Sequence, residues 1–172
     1  LPLARLFSTK YTTIGFDLNP KRVEALMAGH DATLEVSDEL LQSALKNGFR
    51  CTSDIEEIRS CNFYVVAVPT PVDQNNNPDL TPLIGASSTI GKVISKGDVV
   101  VYESTVYPGV TEDDCIPVVE QISGLKLNKD FFAGYSPERI NPGDKQHTVE
   151  HIKKVTSGST PEAGQYINAI YS

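Results

Sequence analysis

Residues 11–26, YTTIGFDLNPKRVEAL, decide how this chain is read. A short β-branched and aromatic run stops at an acid and then takes on helical spacing. The pattern predicts a strand over residues 12–17 and a helix opening at NPKRV, with Asn19 as N-cap, Pro20 as its first residue and Gly29 as its stop. Asp17 therefore stands at the carboxyl end of a strand, where an acid has two uses. It can cap the turn, which is routine for Asp, or it can offer its carboxylate oxygens to the hydroxyls of a bound molecule. Arg22, early in the helix, shares the ambiguity, since a cation there either touches a ligand or faces water. The residues alone leave both readings open.

Downstream the same alternation repeats. SDELLQSALKNG (37–48) places Leu40, Leu41, Ala44 and Leu45 on one helix face, with Ser37 or Asp38 as cap and Gly48 as stop, and FRCTS (49–53) reads as a strand. After a one- or two-turn helix at DIEEIRS (54–60) comes CNFYVVAVP (61–69), a continuous apolar run of the sort a central parallel strand shows when both faces are buried. A Pro- and Asn-rich loop containing QNNN, a helix over residues 83–94 and the buried strand DVVVYE (98–103) follow. The remainder holds ESTVYPGVTEDD with Thr111 as a helix cap, a helix over 116–123, the strand DFFAGYS (130–136), the loop PERINPGDKQH, the strand IKKVTSG (152–158) and a last helix, TPEAGQYINAIY (160–171). Such alternation implies an α/β fold with a doubly wound parallel sheet, because each right-handed crossover needs a helix to cover the sheet. Ligands of these sheets bind beyond the carboxyl ends of the strands. That rule singles out Asp17 and residues 69–71, 104–108 and 136–143.

Composition narrows the function classes. A length of 172 residues suits one domain, and 40% hydrophobic with 22% charged residues is ordinary for a globular protein. No apolar run approaches the roughly 20 residues of a membrane span, so no membrane partner is expected. The net charge of −7, from 22 acids and 15 scattered bases, argues against nucleic acid as a partner. It does not exclude a small dianionic ligand, which a few well-placed donors can hold. Cys51, Cys61 and Cys115 are odd in number and lack CxxC spacing, and His30, His147 and His151 lack ligand spacing, so neither a disulfide framework nor a metal site is expected. A reducing cytoplasm fits best. The chain opens on LPLA in mid-pattern with neither an initiator Met nor a signal peptide, and residues upstream are expected.

The strand-end motifs hold the candidate chemistry. In VPTP (68–71), Val68, Pro69 and Thr70 follow an apolar strand; the prolines fix the backbone and remove donors, leaving a hydroxyl and carbonyls to line a crevice. Proline is equally a routine strand terminator. ESTVYPG (103–109) sets the hydroxyls of Ser104 and Thr105 at another strand end, where they can meet a cofactor or substrate or merely build a turn. In YSPERINPGD (135–144), Glu138 and Arg139 come straight after a strand. The acid can serve as general acid or base and the guanidinium can bind a sugar nucleotide, while the plain alternative is a surface ion pair worth about 0–1 kcal/mol.

Taken in order, GFDLNPKRV, VPTP, PDLTPL, ESTVYPGVTE and SPERINPGD closely resemble the UDP-sugar 6-dehydrogenase family over essentially the whole chain. YSPERINPGDKQH followed by KKVTSGST resembles in particular its UDP-N-acetylglucosamine 6-dehydrogenases, which serve Vi-type capsule and O-antigen synthesis. The resemblance implies a Rossmann-type NAD-binding domain over residues 1–172. It also implies oxidation of a UDP-N-acetylhexosamine at C6, twice, by NAD, through a cysteine thiohemiacetal. UDP-glucose oxidation, or a non-catalytic nucleotide-binding module, is the alternative.

By motif, Asp17 and Arg22 should meet the adenosine ribose, and Val68, Pro69, Thr70, Ser104 and Thr105 the cofactor. Glu138, Arg139 and Ile140 should meet the UDP-sugar, with Glu138 and Thr105 catalytic. The family's first strand and GxGxxG loop have no counterpart here, and LPLARLF resembles the helix that follows them. The nucleophilic Cys, its Lys, the central helix and the UDP-sugar domain are expected beyond Ser172. The fragment alone is expected to be inactive and the full-length protein to form a homodimer or higher homo-oligomer.

Overall fold

The computed structural model describes residues 1–72, 77–137 and 154–172. Most of the QNNN patch, and the loop carrying Glu138, Arg139 and Ile140, lie outside the described residues. The described residues fall into two compact units, 1–58 and 59–137 with 154–172.

In the first unit α1 (Pro2–Phe7) is followed by β1 (Ile14–Phe16), α2 (Pro20–Met27), α3 (Asp38–Lys46) and β2 (Arg50–Thr52), and a 3-10 turn spans Ile55–Ile58. β1 and β2 pair in parallel, with Ile14 opposite Arg50 and Phe16 opposite Thr52. The regular strand is shorter than the predicted 12–17, yet the ladder continues past both ends. Arg50 N–H donates to Thr13 O at 3.4 Å and Asp17 N–H to Thr52 O at 3.1 Å.

The predicted caps hold: Asn19 Oδ1 accepts the N–H groups of Lys21 and Arg22 at 3.1 and 3.4 Å, and Ser37 Oγ accepts that of Leu40 at 3.4 Å. Gly29 and Gly48 take φ of 83° and 97° just past their helices, a left-handed conformation that costs glycine least. Leu26, Val36, Leu41, Ala44 and Phe49 form the core, with Leu1, Ala4, Leu45 and Cys51 packed on it.

The second unit is built on a sheet of β3 (Phe63–Val66), β4 (Val99–Tyr102), β5 (Phe132–Tyr135) and β6 (Ser157–Gly158), in that order. β3, β4 and β5 run parallel. The strand buried along its whole length is β4, whereas β3, predicted as central, stands at one end of this sheet with alternating burial. Val99 and Val101 pack with Ile167 of α6 (Pro161–Tyr171), joined by Phe63, Phe132 and Tyr171. On the other face the Tyr102 hydroxyl lies 2.8 Å from Ser87 Oγ of α4 (Thr81–Val93). Full burial of each valine is worth about 1.5–3 kcal/mol, which makes β4 the spine of the unit. Helix α5 (Ile116–Ser123) packs closely on α4: a Cβ at Gly91 would stand 2.8 Å from Ile122 Cβ.

Two expectations need correction. The last strand is not a third parallel partner of β4 and β5. It is a two-residue strand antiparallel to β5, with Gly134 opposite Gly158. No helical pattern separates β5 from it in the sequence, and an antiparallel return needs no crossover helix, so it joins as the antiparallel edge common in such sheets. Thr111 is not a helix cap. Gly109, at φ 98°, turns the chain, and Asp113 N–H already bonds Gly109 O at 2.7 Å. Helical bonding thus begins ahead of Thr111, which lies buried in a π-helical turn spanning Thr111–Cys115.

Candidate functional site

Asp17 sits exposed at the carboxyl end of β1, and its Oδ1 accepts the Asn19 N–H at 2.8 Å. The acid therefore does organise its turn. Arg22, one turn into α2, points its guanidinium inward to Asp31, with Nη1 2.7 Å from Oδ1 and side-chain exposures of 20% and 0%. Sequence reasoning missed Asp31. Its carboxylate accepts the N–H and hydroxyl of Thr33 at 3.0 and 2.7 Å, and the N–H groups of Glu35 and Val36 each at 3.1 Å. Burial pushes this carboxyl up, but the Thr33 and Val36 hydrogen bonds and Arg22 together outweigh it and hold it at about 2. Arg22 is thus a structural cation as well as a candidate ligand-binding one.

In the second unit the structure brings the VPTP and ESTVYPG motifs together. Beyond β3 and β4 the ladder goes on, with Glu103 N–H donating to Val66 O at 2.8 Å. Two hydroxyls then lace the strand ends: Ser104 Oγ donates to Val68 O at 2.6 Å, and Thr70 Oγ1 donates to Thr105 O at 2.8 Å. Val68, Thr70, Ser104 and Thr105 thereby form one ledge, with Ser104 buried, Thr105 exposed and Pro69 exposed beside them. The fold explains the motif. Prolines 69 and 71 remove N–H donors that would otherwise continue the ladder, and side-chain hydroxyls take over the cross-links.

Cys51 and Cys115 are not the chemistry. Burial lifts the Cys51 and Cys115 thiols to about 11 each, far from a thiolate at neutral pH. Among the described residues no group of three or more His, Cys, Asp or Glu side chains could hold a metal ion. Glu138, Arg139 and Ile140 lie outside the described residues. A second missed pair is Glu103 with Lys154, 2.7 Å apart and buried in the second unit. The only signal for it was a charge closing the apolar run DVVVYE.

Comparison with known proteins places this arrangement. The chain is 56% identical over 171 residues to a UDP-N-acetyl-D-glucosamine 6-dehydrogenase of Pseudomonas aeruginosa, covering 99% of this chain and 40% of that protein. It is 52% identical over 171 residues to the Salmonella typhi enzyme of the same name, with the same coverage. A solved structure of a UDP-D-ManNAc dehydrogenase from Pyrococcus horikoshii superposes with a TM-score of 0.91 at 27% identity, over 99% of this chain and 41% of that one. The chain thus spans about 40% of the length of the relatives it matches, and its strand-and-helix alternation is that of a Rossmann-type domain. The model of the UDP-glucose/GDP-mannose dehydrogenase family, NAD binding domain, matches residues 1–172, and the chain belongs to that family.

Proposed function

We propose that this chain is the NAD-binding domain of an enzyme that oxidises the C6 hydroxyl of a UDP-N-acetylhexosamine, in the first instance UDP-N-acetylglucosamine, to the uronic acid for capsule or O-antigen synthesis. The observation that carries the reading is the ledge of Val68, Thr70, Ser104 and Thr105 at the carboxyl ends of β3 and β4. It stands where ligands of such folds bind, in a chain more than half identical to two enzymes of that name.

The residues present suit NAD. Asp17 is exposed and accepts hydrogen bonds only, which fits the adenine ribose hydroxyls and repels the additional phosphate of NADP. Arg22 contributes the N–H groups that Asp31 and Thr33 leave over. Pro69 and the carbonyls and hydroxyls of Val68, Thr70, Ser104 and Thr105 offer surface to the remainder of the cofactor. When bound, NAD accepts a hydride from the sugar in each of two oxidations. Thr105, an exposed residue beyond the end of β4, orients the reacting oxygen or the hydrolytic water. Glu138 moves the proton, while Arg139 and Ile140 hold the UDP-sugar; these three are assigned from their motif. The nucleophilic Cys and the UDP-sugar domain belong to the remainder of the enzyme. The same reading puts the enzyme in the cytoplasm as a homodimer or higher homo-oligomer. No described helix is long and apolar enough to cross a membrane.

The test is turnover by the full-length protein. With UDP-N-acetylglucosamine and NAD it should yield two NADH per sugar and a carboxylate product. Turnover of UDP-glucose in preference, or of neither sugar, refutes the assignment. Asp17→Ala should raise KM for NAD and narrow the preference over NADP; no change in either would leave Asp17 a turn cap only.

A further inference from the structure

A buried polar cluster at the ends of β4 and β5 is unused by this reading. Tyr102 pairs with Tyr135, and Ser136 N–H donates to Tyr102 O at 2.9 Å, so Glu103 and Ser136 are the next residues along two neighbouring parallel strands. Alternation puts both on the sheet face of Val99, Val101 and Phe132, which packs on α6. Lys154 Nζ donates to Glu103 Oε2 at 2.7 Å, with side-chain exposures of 9% and 3%. It also donates to Pro137 O at 3.4 Å and stands 5.9 Å from the centroid of the Tyr171 ring. Glu103 Oε1 and Ser136 Oγ are buried with no hydrogen-bond partner among the described residues.

Such a pair is a poor source of stability. Desolvating both charges is costly, the carboxylate is only half satisfied, and apolar replacement of a buried pair is often neutral or stabilising. What the pair does supply is fixed geometry. Lys154 joins Glu103, which directly precedes Ser104 and Thr105, to Pro137 just past β5, and stacks over Tyr171 of α6. We propose that Glu103 and Lys154 are positioning residues: their buried ion pair locks the ends of β4 and β5 and so sets Ser104 and Thr105 against Val68 and Thr70. The kinetic part of this proposal rests on the dehydrogenase reading; the ordering of the strand ends does not.

The full-length protein is compared with Lys154→Arg, Glu103→Gln and the double variant Glu103→Leu/Lys154→Met. The double variant removes both charges and should keep the wild-type Tm, while its kcat falls about 10- to 100-fold with KM for NAD little changed. Amide exchange at Ser104, Thr105 and Ser136 should quicken. Glu103→Gln keeps the shape but leaves the buried Lys154 cation against a neutral amide, so it should lower Tm where the double variant does not. It should show the same kinds of change in kcat and exchange, and serves if the double variant does not fold. Lys154→Arg should recover most of kcat. Wild-type kcat and unchanged exchange in the double variant, or in Glu103→Gln where the double variant does not fold, would overturn the proposal. If the wild type oxidises no UDP-sugar, the dehydrogenase reading fails by itself. The exchange rates then decide the positioning role, with faster exchange supporting it and unchanged exchange overturning it.

Discussion

Replacing Asp31 by Asn tests how the first unit holds Arg22. The wild-type carboxylate is fully buried and takes four hydrogen bonds from Thr33, Glu35 and Val36, besides the Arg22 guanidinium at 2.7 Å. Its folded value of about 2, against an ordinary 3.8, corresponds at 1.36 kcal/mol per pH unit to about 2 kcal/mol of stability carried by the ionised form. The sign follows from linkage. A depressed acid is protonated first in the unfolded chain, so its contribution is complete above about pH 5 and is lost as pH falls from 3.8 toward 2.

Asn keeps the size but turns an NH2 toward groups that are themselves donors. The loss should therefore equal or exceed that 2 kcal/mol at neutral pH. Urea unfolding of wild type and Asp31→Asn across pH 7 to 2.5 should show the gap shrinking only below about pH 4, and the Asp31 carboxyl carbon should titrate near 2 by NMR. A carboxyl titrating near 3.8, or a gap independent of pH, would refute the argument. Adding Arg22→Met completes a double-mutant cycle that isolates the pair.

Two shorter tests concern packing and reactivity. A Cβ at Gly158 would collide with Gly164 N and lie 2.7 Å from Ala163 C, so Gly158→Ala should part β6 from α6 and cost about 1–3 kcal/mol, read as a lower Tm; a wild-type Tm would show that the strand yields freely. Cys115, fully buried with its thiol at about 11, should resist iodoacetamide in the native protein at pH 8, and Cys115→Ala should keep wild-type turnover. Rapid native alkylation would contradict its burial.

The elements legible in the sequence are those whose signals are local. Asn19 and Ser37 cap helices through N–H groups two or three residues away, and Gly29 and Gly48 stop them by taking φ that other residues avoid. The strand-end rule found the ledge of Thr70 and Thr105 because the ends of buried strands can be read from apolar runs. What escaped depends on distant partners. Nothing in HDATLEV distinguishes Asp31 from a surface loop acid; it is the fold that buries it, and the cation that pairs with it lies nine residues upstream. In IKKV, neither lysine looks buried, and Glu103 lies 51 residues from Lys154. The direction of β6 was hidden for a related reason: a strand pattern gives the faces of a strand but not which way its neighbour runs.

The polarity of the two groups of candidate residues carries the argument one step further. Asp17 spends Oδ1 on the Asn19 N–H, which orients the carboxylate without saturating it, so capping a turn and binding a ligand are compatible uses of one side chain. Ser104 and Thr70 spend their only hydroxyl protons on the carbonyls of Val68 and Thr105. Their oxygens are then left to accept. Arg22 is the one donor-only side chain among the described candidates; Asp17 and the two ledge hydroxyls thus present acceptors, which suit ribose hydroxyls and amide N–H groups better than phosphate. A pyrophosphate needs the opposite, a set of convergent N–H donors at a helix N-terminus. On the proposed reading, Asp17 and the ledge hydroxyls would suit the nucleoside and carboxamide portions of NAD, and the donors for its phosphates would come from other groups of the enzyme.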